Sequence, residues 1–486
     1  QTWCCSVAAR GALQPVRLLL ERCSCSPSAS HALYRLTMAA LAAALATAVS
    51  AYNNGMGERP PMGWQTWCSV GECGEDHCFD GQIRAMADTL VLSGMKDLGY
   101  DWVVLDDCWH PTRDNATAEL VPYPRFFPDG MKPVIDYVHS LGLKFGLYTS
   151  VGDRTCHGGW SPGSFGHYER DARTFAAWGV DYVKIDYCGS HDSVEGHRNM
   201  SRALNATGRP MSYMLCRGPY QQQDHWGYAP GIAQGWRATG DHHDNFASVR
   251  QQVGAVLPLD RGCPATQPRQ RARLRCPQVE AVRGKASWSG PFGWAYLDMM
   301  MTGGQGCKDQ CVGPESDQGH CNWTKPEHCP GMSEEEYRTE ASLYVVVSSP
   351  LMVGTDIRLM TPIMKELLLN KEAIAINQDY KAVPGDAMPS CHGSSQEAWV
   401  RRLSNGDSAV ALTNWGNHTA SLAVCLDAIG WTHGETAGAR NVWARQSLGT
   451  FSRRFEAKVR AHDTLLLLLS RTGAAGSPEN KVAVAM

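Results

Sequence analysis

The chain has 486 residues and a formal net charge of −3, and no basic run interrupts it. That length exceeds one small domain and suits a large barrel with a smaller companion, and the charge balance argues against a nucleic-acid partner. Sixteen tryptophans beside 48 glycines supply many flat apolar faces, which stack on sugar rings as readily as they fill a core.

Residues 1–37 carry no periodicity and are expected to be an upstream over-extension of the reading frame. An Arg- and Ser-rich organelle transit segment is the rival reading. Residues 38–51, Met-Ala-Ala-Leu through Val-Ser-Ala, form an apolar stretch too short to span a bilayer, with small residues at the cleavage positions. They read as a signal peptide, so no membrane association is expected. Fifteen of the 19 cysteines follow residue 51, a density that suits an oxidising compartment with several disulfides. Sequons at Asn115, Asn199, Asn205, Asn322 and Asn417 fit the same route. The destination expected is the secretory pathway, secreted or lysosomal/vacuolar.

From residue 61 a unit of short apolar strand, polar loop and helical pattern recurs. Strands are predicted at 62–67, 101–107, 144–150, 181–188, 211–216, 235–241, 294–300 and 351–356. Helices are predicted at 79–98, 132–141, 168–178, 196–205 and 333–347, the last opening with a Ser333/Glu336 capping box. Gly99, Gly142 and Gly179 stand where helices end. Eight strands alternating with helices predict a (β/α)8 barrel over 52–379, and no glycine-rich dinucleotide fingerprint follows the first strand. Residues 258–289 are Arg-rich and aperiodic, and are expected to be an inserted loop or disordered segment. Cys307, Cys311, Cys321 and Cys329 crowd the loop 303–332, where two local disulfides are favoured over zinc. Residues 380–470 alternate in short segments and predict a C-terminal antiparallel β-sandwich, and 471–486 a disordered tail.

Chemistry gathers at the strand ends. Tyr182-Val183-Lys184-Ile185-Asp186-Tyr187-Cys188 is a buried strand that ends in a cation, a carboxylate and a thiol. Such an aspartate can cap the next helix, or it can belong to the catalytic mouth of a barrel. Trp67, Asp106-Asp107 and Asp241 end other predicted strands, and Tyr148, Arg237 and Asp298 are carried within three of them. Polar groups at so many strand ends point to one shared pocket. It contains no HExxH, no histidine cluster and no serine elbow, so neither a metal nor a cofactor is expected. Paired carboxylates with aromatic walls suit glycoside hydrolysis, which needs one ionised and one protonated carboxyl. Asp186, beside the Lys184 ammonium, is expected to stay ionised and act as nucleophile, and Asp241 is the candidate acid/base.

The segments Met62–Trp67, Leu105–Trp109, Lys144–Tyr148, Tyr182–Cys188, Trp236–Asp241, Gly293–Met299, Ser349–Asp356 and Ile376–Asp379 resemble, in order and spacing, those of glycoside hydrolase family 27. That family holds eukaryotic α-galactosidases and α-N-acetylgalactosaminidases, and the resemblance runs from about Asn54 to Ser470. It implies a retaining exo-hydrolase that removes terminal α-linked galactose by double displacement, with Asp186 as nucleophile and Asp241 as acid/base. Asp106 and Asp107 would bind the sugar 6- and 4-hydroxyls. Trp67 would form the apolar wall, with Tyr148, Lys184, Arg237 and Asp298 completing the pocket. Cys156–Cys188 and Cys73–Cys108 resemble family disulfides, and a homodimer is the assembly considered. One departure stands out. Strand five ends Cys216-Arg217, where α-galactosidases typically place a glutamate that faces the C2 substituent. Arg217 therefore opens alternatives: the same mechanism on an α-N-acetylgalactosaminide or β-L-arabinopyranoside, or a non-catalytic sugar-binding homologue.

Overall fold

A computed structural model describes residues 53–67, 79–107, 109–156, 161–216, 225–253, 282–304, 331–394, 396–432 and 434–472. The expected signal peptide, Cys73–Cys108, Arg217, the four-cysteine cluster and most of the 258–289 insertion lie outside those residues.

Eight parallel strands alternate with helices. They are β1 (Met62–Gln65), β2 (Trp102–Leu105), β3 (Lys144–Ser150), β4 (Tyr182–Asp186), β5 (Ser212–Leu215), β6 (Gly235–Arg237), β7 (Trp294–Tyr296) and β8 (Leu351–Val353). Their order is β8-β1-β2-β3-β4-β5-β6-β7, and a parallel bridge between Met300 and Val353 joins the chain beyond β7 to β8. The sheet therefore closes on itself, as the strand–helix alternation predicts. The helices between them are α1 (Asp80–Leu92), α2 (Lys132–Ser140), α3 (Tyr168–Trp178), α4 (Val194–Ala206), α5 (Phe246–Val253) and α6 (Glu334–Val346).

Side-chain parity sorts each strand into two layers. Val103 and Leu105 of β2, and Val183 and Ile185 of β4, face outward into the core under the helices. Trp102, Val104, Tyr182, Met214, Tyr296 and Met352 face inward and fill the barrel axis. Continuing the inward parity toward the C-terminal ends reaches Asp106, Asp186, Cys216 and Asp298. The pocket begins where that column turns from apolar to polar. The predicted strands overran mostly for this reason, because pocket residues leave the hydrogen-bond ladder while keeping the strand's spacing. Only β3 matches its predicted limits in full.

Helix ends follow their sequence signals. Gly179 closes α3 at φ 91° and Gly142 follows α2 at φ 68°, a left-handed geometry that glycine adopts without a Cβ penalty. The capping box of α6 is formed, Ser333 N donating to Glu336 Oε2 at 2.9 Å and Glu336 N to Ser333 Oγ at 3.3 Å. The predicted helix 79–98 stops at Leu92, with a left-handed Gly94 before a short 3-10 turn at Lys96–Leu98.

Two short helices, α7 (Pro362–Leu368) and α8 (Lys371–Asn377), lead to the C-terminal sheet. Its strands are β9 (Asp386–Pro389), β10 (Glu397–Arg402), β11 (Ser408–Thr413), β12 (Ala420–Cys425), β13 (Ala437–Asn441), β14 (Gln446–Phe451), β15 (Arg454–Val459) and β16 (Thr464–Arg471). Six of them run β9-β10-β11-β16-β13-β14, and β12 pairs with β15 separately. Val410, Leu412, Leu467 and Leu469 of the large sheet pack with Leu422 and Val424 of the small one. Its other face, through Trp399, Ala409, Ala411 and Leu466, joins the barrel core. Buried Arg401 adds to that seam, donating to the carbonyls of Asn377 at 3.1 Å and Asp379 at 2.6 Å. The 258–289 insertion, expected to be loop or disordered, ends in described residues that are anchored. Arg283 pairs with Glu397 at 2.6 Å, and a 3-10 turn spans Ala286–Trp288.

Candidate active site

The C-terminal mouth of the barrel opens into a pocket of about 200 Å³ lined by fourteen residues. Among them are Trp67, Asp106, Asp107, Tyr148, Lys184, Asp186, Arg237, Asp241 and Asp298, so the described residues predicted for the site all converge there. Strict alternation would have turned one of Asp106 and Asp107 away. The ladder of β2 ends at Leu105, which frees both to line the pocket.

At the base, Lys184 Nζ donates to Asp106 Oδ2 at 2.6 Å, with both side chains almost fully buried. Gln65 Nε2 donates to the same oxygen, and Asp107 N donates to Asp106 Oδ1 at 2.8 Å. Burial disfavours the Lys184 charge, but Asp106 first, with Asp298 and Asp186, outweighs it and holds the amine well above its usual range. The ammonium is therefore a permanent donor.

Asp186 accepts from the Tyr148 hydroxyl at 2.9 Å and from Tyr187 N at 3.0 Å. Both its oxygens are thus oriented without rotation. The expectation that Lys184 keeps this carboxyl strongly ionised needs correction. Lys184 is committed to Asp106, and burial pushes Asp186 up to about 6 against the lowering by Lys184 and the two hydrogen bonds.

Asp241 differs in every respect. Its side chain is 74% exposed at the rim, and Arg237 Nη2 donates to its Oδ1 at 2.9 Å. The guanidinium holds the Asp241 carboxyl below the usual range despite partial desolvation. Arg237 Nη1 also lies 3.1 Å from Asp298 Oδ1 and donates to Cys216 Sγ at 3.4 Å. Asp298 adopts φ 78°, an uncommon backbone for a non-glycine residue, and its Oδ2 accepts from His242 N at 2.9 Å.

Cys156 and Cys188 form a disulfide on the pocket wall, joining the loops after β3 and β4. Gly152 lies beneath them, where an added Cβ would stand 2.0 Å from the Cys188 carbonyl oxygen, so only glycine fits. Sequence reasoning missed Tyr187 and Met299 as lining residues, both just past a strand end where parity no longer predicts direction. Cys216 is a free buried thiol in the lining, and its inward parity with Met214 was the available signal. Among the described residues, the one His/Cys/carboxylate cluster with metal-like spacing is Cys156, Asp186 and Cys188, two of which are spent in the disulfide.

Comparison with known proteins agrees with this arrangement. Residues 59–259 and 315–379 match the family described as "Alpha galactosidase A", and 393–469 match the "Alpha galactosidase C-terminal beta sandwich domain". An α-galactosidase of Cyamopsis tetragonoloba is 33% identical over 423 residues, 86% of this chain and 87% of that one. A probable α-galactosidase of Dictyostelium discoideum is 33% identical over 88% of this chain and 97% of its own. The crystal structure of α-galactosidase I from Mortierella vinacea superposes with a TM-score of 0.69 at 31% identity, covering 86% of this chain and 98% of that one. The chain belongs to the α-galactosidase A family, glycoside hydrolase family 27.

Proposed function

We propose that the protein is an exo-acting, retaining α-galactosidase. The observation that carries this reading is one pocket with two unlike carboxyls, a half-buried Asp186 locked by Tyr148 and an exposed Asp241 paired with Arg237. The relatives named above support the substrate class. Asp186 attacks C1 of the sugar while Asp241 gives its proton to the departing glycosidic oxygen, leaving a galactosyl ester. Asp241 then takes a proton from water as that water attacks C1 and releases Asp186. Asp106, Asp107 and Lys184 hold the hydroxyls farthest from the reacting carbon, and Trp67 offers an apolar face.

The test is parallel hydrolysis of the aryl α-galactoside, α-N-acetylgalactosaminide and β-L-arabinopyranoside. The arabinoside lacks the 6-hydroxyl expected at Asp106, and a lost hydrogen bond to a charged group costs about 1.5–3 kcal/mol, roughly 10- to 100-fold. The α-galactoside should be cleaved fastest. Equal or faster cleavage of either competitor would reassign the C2 or C6 preference.

The pH dependence follows from the two carboxyls. Turnover needs Asp186 ionised and Asp241 protonated, so the pair must carry one proton. Burial favours that proton on Asp186 and Arg237 disfavours it on Asp241, so the reactive arrangement is the minor one of the two. Below the lower pKa both are protonated and no nucleophile exists. Above about 6 both are ionised and no acid remains. A bell-shaped kcat/KM with its descending limb near 6 is expected on an unactivated α-galactoside. A profile flat from about pH 5 to about pH 8 would contradict it.

Such a profile suits a lysosomal or vacuolar enzyme. The Cys156–Cys188 and Cys391–Cys425 disulfides support passage through an oxidising compartment. No helix among the described residues is long and apolar enough to cross a membrane.

A further inference from the structure

Asp241 stands on the loop between β6 and α5, where the Arg237 guanidinium donates to its side chain. What fixes the loop lies behind it. His242 is fully buried, and its ring bridges two partners: Nδ1 meets Ser248 Oγ at 2.9 Å and Nε2 meets Glu340 Oε1 at 2.9 Å. Glu340, also fully buried, accepts from Met301 N at 2.6 Å and from Thr302 Oγ1 at 2.7 Å. Two turns of contact therefore converge on one carboxylate, one from the loop that carries Asp241 and one from the segment that follows Asp298. The His242 backbone closes the circuit by donating to Asp298, which faces Arg237.

Glu340 belongs to α6, and its neighbours on the same face continue the hold. Tyr337, one turn earlier, donates to Asp244 Oδ2 at 3.1 Å, and Tyr344, one turn later, donates to the Leu297 carbonyl at 2.8 Å. The opposite face of α6 is bolted to the C-terminal sheet. Thr339 donates to the His462 carbonyl at 2.6 Å, Arg338 pairs with Asp463 at 3.1 Å, and Trp443 donates to Ser342 Oγ at 2.8 Å. One helix thus connects the C-terminal sheet to the loop of the exposed rim carboxyl. A buried carboxylate–imidazole pair costs desolvation that an apolar pair would not, and apolar packing alone would serve a purely structural contact here.

We propose that Glu340, acting through His242, is a positioning residue that holds the Asp241 carboxyl at the glycosidic oxygen, with α6 making the C-terminal sheet part of that support. The proposal rests on the reading of Asp241 as acid/base. A misplaced proton donor has a signature that a loosened fold lacks. A substrate whose leaving group departs without a proton is spared in kcat/KM, and one that needs the proton is not.

The test uses the full chain with 2,4-dinitrophenyl and benzyl α-galactosides, comparing wild type with Glu340→Gln, His242→Leu and Asp241→Ala. For His242→Leu, kcat/KM on the benzyl substrate is expected to fall about 10- to 100-fold, and on the dinitrophenyl substrate within about threefold. Azide, a nucleophile that needs no general base, should raise its kcat on the dinitrophenyl substrate. Glu340→Gln keeps the shape and one acceptor and should show the same signature more weakly, so it carries the test if His242→Leu does not fold. Equal losses on both substrates would reduce the pair to a structural role and overturn the proposal. Unchanged kinetics in Glu340→Gln and His242→Leu, with the full signature in Asp241→Ala, would overturn the proposal and leave the acid/base reading standing. Absence of the signature in Asp241→Ala would overturn both.

Discussion

Asp186→Asn is expected to lose on the order of 10⁴-fold or more in turnover of an α-galactoside, without loss of the fold. The amide preserves the shape and can still accept from Tyr148, but it cannot form the galactosyl ester. Stability should move the other way. A carboxyl whose pKa is raised by folding to about 6 costs stability above that value, and the cost fades as pH falls toward the unfolded value. With Asp186 partly solvent-facing, we place the gain from neutralising it at about 1–2 kcal/mol near neutral pH. Paired kinetics and thermal melts above and below about pH 6 measure both effects. Turnover by the variant within tenfold of wild type would remove Asp186 from the nucleophile role.

Lys184→Met carries the largest expected loss of stability. The Lys184–Asp106 pair is 2.6 Å long with both side chains at most 5% exposed. Removing one partner of such a pair leaves an uncompensated charge and costs about 3–5 kcal/mol, whereas removing both costs much less. Lys184→Met should therefore lower the urea midpoint sharply, and adding Asp106→Asn should recover a large part of the loss. Sugar affinity should not recover, because both substitutions remove groups that line the pocket. Additive destabilisation in the double variant would show that the two side chains do not act as a pair.

Local signals carried further in some segments than in others. Helices α3 and α6 and strand β3 were readable because apolar period, caps and glycine stops coincide within a dozen residues. Strands β13 and β14 were not, since Ala437–Asn441 and Gln446–Phe451 are short on apolar alternation. Their strand state comes from pairing, β13 with the Leu-rich β16 and β14 with β13. Helices α7 and α8 span seven residues each, too short for a period to emerge beside their Thr361 and Asn370 caps.

The candidate site divides in the same way. Its membership was legible in the sequence, because a barrel must place strand-end side chains at one mouth and inward parity is a local property. Asp106, Lys184, Asp186, Arg237 and Asp298 follow from that rule. Their partnerships do not. Tyr182–Cys188 places Lys184 two residues from Asp186, yet the ammonium crosses the barrel to Asp106, and Asp186 is left to Tyr148. Which carboxyl is half-buried and which stands at the rim, and hence where the proton sits, depends on desolvation and on charges brought together across the barrel. The same holds for Glu340 and His242, 98 residues apart and invisible to any local pattern. Strand order, layer and mouth were decided by periodicity along the chain; charge state and support were decided only when distant strands and helices met, because electrostatic energy depends on distance in space and not on distance in sequence.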